Sequence, residues 1–290
     1  MINGILDQIQ VNLNDKVVSI KQINAGYVND VFLIRALHNS YILKCFRFYD
    51  KEKIDLSISL QKYLSTKELA PEVIYEGAYG TYYIVQRYID SEVLEKDWFL
   101  FGKTLGLIHY NLSIYDVLGI NDFSFQDYST IHCDKALSKE FDELILLKSR
   151  IKNKVHVPEI EYKQLIHGDY TWNNILKKDN EYQVIDFDEA KIYFALYDVA
   201  KVVFDLIFSA TNAWKDINDF MNGYQSVCPL HSYEKKEFLN VYAYTLMKDC
   251  SGLESKPNKD IHYITKRIEK HKNVLKCFDE YCEIIRRLEW

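Results

Sequence analysis

Along the first ninety residues the apolar positions change period twice. In 17–24 (VVSIKQIN), 31–36 (VFLIRA) and 40–48 (SYILKCFRF), β-branched and aromatic residues crowd into short runs. Turn-forming residues separate them at AGYVND (25–30) and LHNS (37–40), so each run predicts a strand. In 51–69 the pattern becomes helical, with Leu56, Leu60, Tyr63 and Leu64 on one stripe and Pro71 as a stop. Residues 72–89 return to strand, with Gly77 and Gly80 marking a hairpin turn. Three strands, a helix and two strands predict a small antiparallel sheet with one packed helix.

After DSEVLEKD (90–97) the period is helical. Apolar residues fall at 101, 105, 108 and 112 within 98–112, and 133–153 reads as a long amphipathic helix. YQVIDFDEA (182–190) is a short apolar strand ending in acids. Further helices are expected over 196–212, 216–225, 232–250 and 260–290. No internal repeat is found. The change of character near Tyr88–Ser91 predicts two domains, 1–89 and 90–290.

Composition narrows the picture by exclusion. The chain has 290 residues, enough for a large core and more than one lobe. A net charge of −6 and the lack of a basic run give no reason to expect nucleic acid. Six scattered cysteines without a CxxC pair predict reduced thiols in a cytoplasm, not a disulfide frame or a zinc site. The N-terminus does not read as a signal peptide, and no apolar run reaches the roughly 18 residues of a membrane span. A cytoplasmic protein, monomeric or weakly dimeric, is expected.

The chemistry concentrates in LIHGDYTWNNIL (165–176). His167, Gly168 and Asp169 are followed by Asn174, between the apolar pairs Leu165–Ile166 and Ile175–Leu176. An acid followed five positions later by an amide resembles the catalytic loop of protein kinases, where the acid orients the attacking hydroxyl and the amide oxygen binds Mg²⁺. Apolar flanks anchor such a loop so that both side chains converge on one phosphoryl group. The second element is VIDFDEA, with Asp186 at the end of an apolar strand, as in the kinase D-F-G signature. Asn174 and Asp186 are hard oxygen ligands suited to Mg²⁺, which takes its other ligands from phosphates and water. Asp188 stands where a kinase has glycine, either as a further metal ligand or as a solvated acid. Lys44 lies in the hydrophobic run YILKCF. A charge there needs a partner, such as nucleotide phosphates, unless the strand is an edge and the side chain reaches water. The turn before it has one glycine, Gly26, and backbone amides around Gly26–Asn29 are candidates to cap phosphates.

Taken together, HGDYTWNNIL and IDFDEAKIYFALYDVAKV resemble the aminoglycoside phosphotransferase and choline-kinase-like family. Weaker support comes from LGLIHYNL, with His109, and FMNGYQ (220–225). The resemblance covers about residues 20–225. It implies an α+β, two-lobed protein-kinase-like fold: an N-lobe of small antiparallel sheet with one helix, and a larger, mostly helical C-lobe. It also implies a phosphotransferase using Mg²⁺ and ATP or GTP. Asp169 would be the catalytic base and Asn174 and Asp186 the metal ligands. Lys44 would bind phosphate, and Gln86, Tyr88 and Ile89 would form the hinge for the purine. His167 would orient the loop, with His109 and Asp198 as supporting hydrogen-bonding residues.

Two departures stand out. The family's helix glutamate that pairs with the lysine is missing from SISL (57–60), which leaves Glu52 or Asp55 as substitutes. The usual H-P-G is replaced by TWN (171–173), so Tyr170 and Trp172 either shape an acceptor pocket or pack under the loop.

The acceptor is expected to be a small hydroxylated molecule that can be cationic, first an aminoglycoside-type antibiotic. Choline, thiamine, amino-alcohol or homoserine kinases are the alternatives, along with a nucleotide-binding relative without catalysis. Residues 231–290 hold 12 Lys+Arg against 10 Asp+Glu, so the acid excess lies upstream, where Asp205, Asp216 and Asp219 could line a site. The 23 tyrosines include enough aromatic surface for a cage around a quaternary ammonium.

Overall fold

The alternation in SYILKCF produces the middle strand of a five-stranded antiparallel sheet. In a computed structural model the strands are β1 (Val17–Ile23), β2 (Asn29–Ala36), β3 (Ser40–Phe46), β4 (Val73–Ala78) and β5 (Tyr82–Arg87). Their order is β1-β2-β3-β5-β4. The structure describes residues 2–23, 29–47, 50–91, 96–115, 138–160, 162–209, 213–251 and 261–288.

Each face of the sheet carries a helix. Tyr41, Leu43 and Cys45 of β3 pack with Ile5 and Ile9 of α1 (Ile2–Leu13) and with Tyr83 and Val85 of β5. Ile54 and Ile58 of α2 (Lys51–Ser65) pack with Phe46 and Ile84 on the other side. Each fully buried aliphatic side chain contributes about 1.5–3 kcal/mol, so two such layers commit the β3 register. The expectation of one packed helix therefore misses α1.

Asp50 caps α2, its carboxylate accepting from the Lys53 N–H at 3.3 Å. The helix ends at Ser65, short of the expected 69, because Glu68 turns left-handed (φ +61°) and Leu69 N–H returns to the Leu64 carbonyl. The β4–β5 turn lies at Gly80 (φ +71°). Gly77 sits inside β4 instead, where a Cβ would run into the Tyr83 ring.

Two compact units account for the chain. One comprises Met1–Leu100 together with His167–Ala190, and the other Phe101–Ile166 with Lys191–Trp290. The segment 167–190 thus rejoins the sheet-bearing unit. It contributes the hairpin β7 (Ile175–Lys178) and β8 (Glu181–Val184), turned through left-handed Asp179 and Asn180. Val184 N–H donates to the Leu69 carbonyl (2.8 Å), and the Gln183 side chain donates to the Glu68 carbonyl (3.1 Å).

The second unit is helical. It holds α3 (Trp98–Ser113) from Phe101 onward, α4 (Ser138–Lys152), α5 (Ala195–Ser209), α6 (Ala213–Gln225), α7 (Ser232–Ser251), α8 (Ile261–Lys276) and α9 (Phe278–Arg286). A short pair, β6 (Gln164–Ile166) with β9 (Lys191–Tyr193), completes it. Gly102 permits the close approach of α3 to α6, since a Cβ there would strike the Phe220 carbonyl. The single helix expected over 260–290 is two, α8 and α9, meeting at Cys277.

Candidate active site

Lys44 lies on the central strand, paired across to Val31 on β2 and Ile84 on β5. The alternative of an edge lysine reaching water is thereby removed, and its side chain is only 12% exposed. Its ammonium meets two carboxylates, Asp186 Oδ1 at 2.8 Å and Asp188 Oδ1 at 2.7 Å. A buried ammonium without such partners would be strongly destabilising.

Asp186 follows β8 and has φ 70° and ψ 68°. Left-handed backbone in a non-glycine residue costs about 1 kcal/mol or more and persists only where the surroundings impose it. Here it ends the strand, starts the 3₁₀ turn Phe187–Glu189 and turns the Asp186 carboxylate to Lys44.

Asp188 is held more closely. Its Oδ1 also accepts from Ser57 Oγ (2.9 Å) and its Oδ2 from Asn29 Nδ2 (2.6 Å). Burial acts to raise its pKa, but the Lys44 charge and the hydrogen bonds from Lys44, Asn29 and Ser57 outweigh that and hold it below the usual carboxylate range. Neither substitute expected for the helix acid reaches Lys44. Glu52 is exposed, and exposed Asp55 pairs with Lys51 one turn away.

The loop 167–174 is tied to the same strand end. His167 is fully buried; its Nδ1 accepts from the Asp169 N–H (3.2 Å), which leaves Nε2 to donate to the Ile185 carbonyl (3.2 Å). His167 therefore bridges the loop and the strand, in keeping with an orienting role. Gly168 has φ +78°, and a Cβ there would collide with the Glu189 carbonyl. Asn174 is the last residue of a 3₁₀ turn (Trp172–Asn174), and its side-chain amide donates to the Asp169 carbonyl (2.9 Å) and carboxylate (3.3 Å). The Asn174 carbonyl accepts from Ile185 N–H (2.9 Å), so the amide and the strand-end acid share one end of the β7–β8 hairpin. Tyr170 is fully buried, and Trp172 packs on Trp98 (5.2 Å between centroids) and Tyr182 (5.7 Å). Tyr170 is therefore a packing residue, while Trp172 is half-buried.

The donor set fits a hard divalent ion. Asn174 spends its NH₂ on Asp169, which orients its amide oxygen as an acceptor, and the Asp186 carboxylate is 44% exposed. Among the described residues no three His, Cys, Asp or Glu converge on a common point. Two oxygen ligands with phosphates and waters as the remainder suit Mg²⁺.

Other expected positions are placed as follows. Asn29 uses its side chain, 8% exposed, on Asp188. Gly26 lies outside the described residues. Gln86 is buried on β5 and accepts from Gln61 Nε2 (2.7 Å). The Tyr88 N–H donates to the Ser40 carbonyl (3.2 Å), and the Ile89 carbonyl accepts from Ser91 (2.9 Å). In the second unit, His109 meets Tyr224 through Nδ1 (3.0 Å) and Asp198 through Nε2 (3.3 Å), all three buried. Three marker segments distant in sequence thus converge in one core network. Tyr193 and Tyr197 already carry two ammonium groups, with Lys191 and Lys248 at 4.8 and 4.3 Å from the Tyr197 ring. That pair serves lysines, not a ligand cage.

Sequence reasoning missed Ser57 as a partner of this site, and it left the role of Asp188 open. A small polar residue at the middle of α2, next to Ile54 and Ile58 at helical spacing, was the available signal for Ser57.

Comparison with known proteins identifies the family and the fold. The phosphotransferase enzyme family (APH) matches residues 19–225. No curated protein matches in sequence. Among solved structures, amicoumacin kinase hAmiN in complex with AMP-PNP, Ca²⁺ and Ami superposes with a TM-score of 0.70 at 14% identity, covering 96% of this chain and 93% of that one. A microcompartment-associated aminopropanol kinase gives 0.68 at 14%, covering 96% and 98%. Spectinomycin phosphotransferase APH(9)-Ia with ADP gives 0.63 at 15%, covering 98% and 97%. The expected α+β, kinase-like fold is thereby established. With its match spanning well over half the sequence, the chain belongs to the phosphotransferase enzyme family, whose members pass a phosphoryl group to hydroxyl acceptors.

Proposed function

We propose that this enzyme transfers the γ-phosphate of ATP or GTP to a hydroxyl of a small acceptor, and that the acceptor is an aminoglycoside-type antibiotic. The observation that carries the reading is the junction of Lys44 with the strand-end Asp186, beside a loop in which Asn174 holds Asp169. In this reading Asp169 accepts the hydrogen bond of the acceptor hydroxyl and aims its oxygen at the γ-phosphorus. Lys44 neutralises phosphate oxygens, and positioning plus charge stabilisation supply most of the acceleration. Asn174 and Asp186 would hold Mg²⁺, which supplies positive charge against the triphosphate when bound. Gln86, Tyr88 and Ile89 border the purine, with the Tyr88 N–H already engaged by Ser40.

The antibiotic reading draws support from the likeness to amicoumacin and spectinomycin kinases. An amino-alcohol acceptor is the second reading, favoured by the aminopropanol kinase at a TM-score of 0.68. We place the enzyme in the cytoplasm, as a monomer or weak dimer; among the described residues no helix is long and apolar enough to cross a membrane. A transfer screen with ATP and GTP against aminoglycosides, related antibiotics and amino alcohols tests the proposal. Turnover on an antibiotic at least about a hundredfold above amino alcohols supports the first reading, a gap of the size that pocket hydrogen bonds to substrate produce. The reverse preference supports the second, and no transfer to any acceptor contradicts both.

A further inference from the structure

Two carboxylates touch Lys44, and their surroundings differ. Asp186 is 44% exposed, and among the described residues Lys44 is the donor that reaches it. Asp188 is 21% exposed and accepts from three donors on three elements: Lys44 on β3, Ser57 in the middle of α2 and Asn29 at the start of β2. Both of its oxygens are engaged. Drawing Asp188 away would strip partners from a buried ammonium, a hydroxyl and an amide at once. Drawing Asp186 away leaves Lys44 still paired.

We infer that Asp188 is the positioning residue for Lys44, a fixed counter-ion steered by Ser57 and Asn29, and that Asp186 alone of the two is available to a divalent ion. The helix α2 contributes a hydroxyl to the acid in place of an acid of its own. The shift follows from geometry. Ser57 makes no hydrogen bond of its own to Lys44, while Asp188, two residues beyond the left-handed turn at Asp186, reaches both. The inference rests on the reading of Lys44 as the phosphate-binding lysine.

The test uses the full chain and five variants: Asp188→Asn, Asp186→Asn, Lys44→Met, Lys44→Met combined with Asp188→Asn for the melting cycle, and the double change Asp188→Ala with Ser57→Glu. Calorimetry gives AMP-PNP affinity and the Mg²⁺ concentration for half-maximal binding. Asp188→Asn is expected to weaken AMP-PNP roughly ten- to hundredfold, the loss of one charged hydrogen-bonding partner, with the Mg²⁺ requirement unchanged. Asp186→Asn is expected to raise the Mg²⁺ requirement instead. The double change, which moves the acid to the helix, is expected to recover most of the affinity. A Mg²⁺ requirement raised by Asp188→Asn as much as by Asp186→Asn, with no recovery in the double change, overturns the inference.

Melting in EDTA without nucleotide separates this outcome from failure of the kinase reading. If wild type binds no AMP-PNP, the kinase reading fails. The Lys44–Asp188 anchor then stands on non-additive melting shifts of Lys44→Met and Asp188→Asn, and falls if those shifts simply add.

Discussion

Gly168 and Glu189 meet backbone against backbone, so that the loop bearing Asp169 rests directly on the turn bearing Asp186 and Asp188. The approach requires both a left-handed φ and a missing side chain at residue 168. Gly168→Ala is therefore expected to cost at least about 2 kcal/mol in chemical denaturation and to remove phosphate transfer. A variant with wild-type stability and turnover would show that the two loops need not touch.

Asp169 is expected to act in the chemistry and not in the fold. Asp169→Asn keeps the shape that accepts from Asn174 while removing the charge that orients a hydroxyl. Steady-state kinetics should show kcat lower by about 10²–10⁴, with nucleotide affinity and melting temperature close to wild type. An equal loss of affinity and stability would move Asp169 to a structural role.

His167 holds a neutral tautomer between the Asp169 N–H and the Ile185 carbonyl. His167→Ala removes both hydrogen bonds and a fully buried ring, and about 2–4 kcal/mol of stability should be lost. Urea unfolding measures this directly; a loss below about 1 kcal/mol would show that the loop is held from elsewhere.

Acid stability carries a signature far from the site. Glu143 on α4 lies between Lys272 (2.6 Å) and Lys276 (2.9 Å) of α8. Hydrogen bonds from Lys272 first and Lys276 second pull its carboxyl from 4.5 to about 2. A folded value below the unfolded one means that the contribution is complete above about pH 4.5 and is lost as pH falls through about 2. Glu143→Gln should flatten the fall in melting temperature across that window. Salt near 1 M should shrink the difference, since the Glu143 carboxylate and the Lys276 ammonium reach solvent. Parallel curves for the two proteins would remove the pair from the acid response.

Much of this architecture is legible in the chain because its periods are clean. Leu60 and Leu64 of the stripe expected for α2 are buried and β3 alternates as expected, so local pattern and tertiary packing agree there, whereas Leu56 and Tyr63 are only half-buried and the stripe is completed by Ile54 and Ile58. The helix α1 has the same signal in Ile5 and Ile9, both fully buried, yet an N-terminal segment weighed only as a targeting signal hides it. Gly77 reads as a turn because glycine has two uses, and only the Tyr83 ring above it reveals the second. The motif residues Asp169, Asn174 and Asp186 are local in sequence and can be read there. The Lys44–Asp188 pair spans 144 residues and Ser57–Asp188 spans 131, and no local pattern encodes such pairings.

Transfer of the γ-phosphate reports directly on the proposed pairing of the 167–174 loop with the strand-end acid. Phosphorus NMR of Mg²⁺-ATP and Mg²⁺-GTP with wild type, Asp169→Asn and Asp186→Asn, in the presence of the acceptor found by screening, follows the γ-phosphate itself. Wild type is expected to move it to the acceptor, and either substitution to slow transfer by at least about a hundredfold with the fold preserved. Full-rate transfer by folded Asp186→Asn, or no loss of the γ-phosphate signal with wild type, would contradict that pairing.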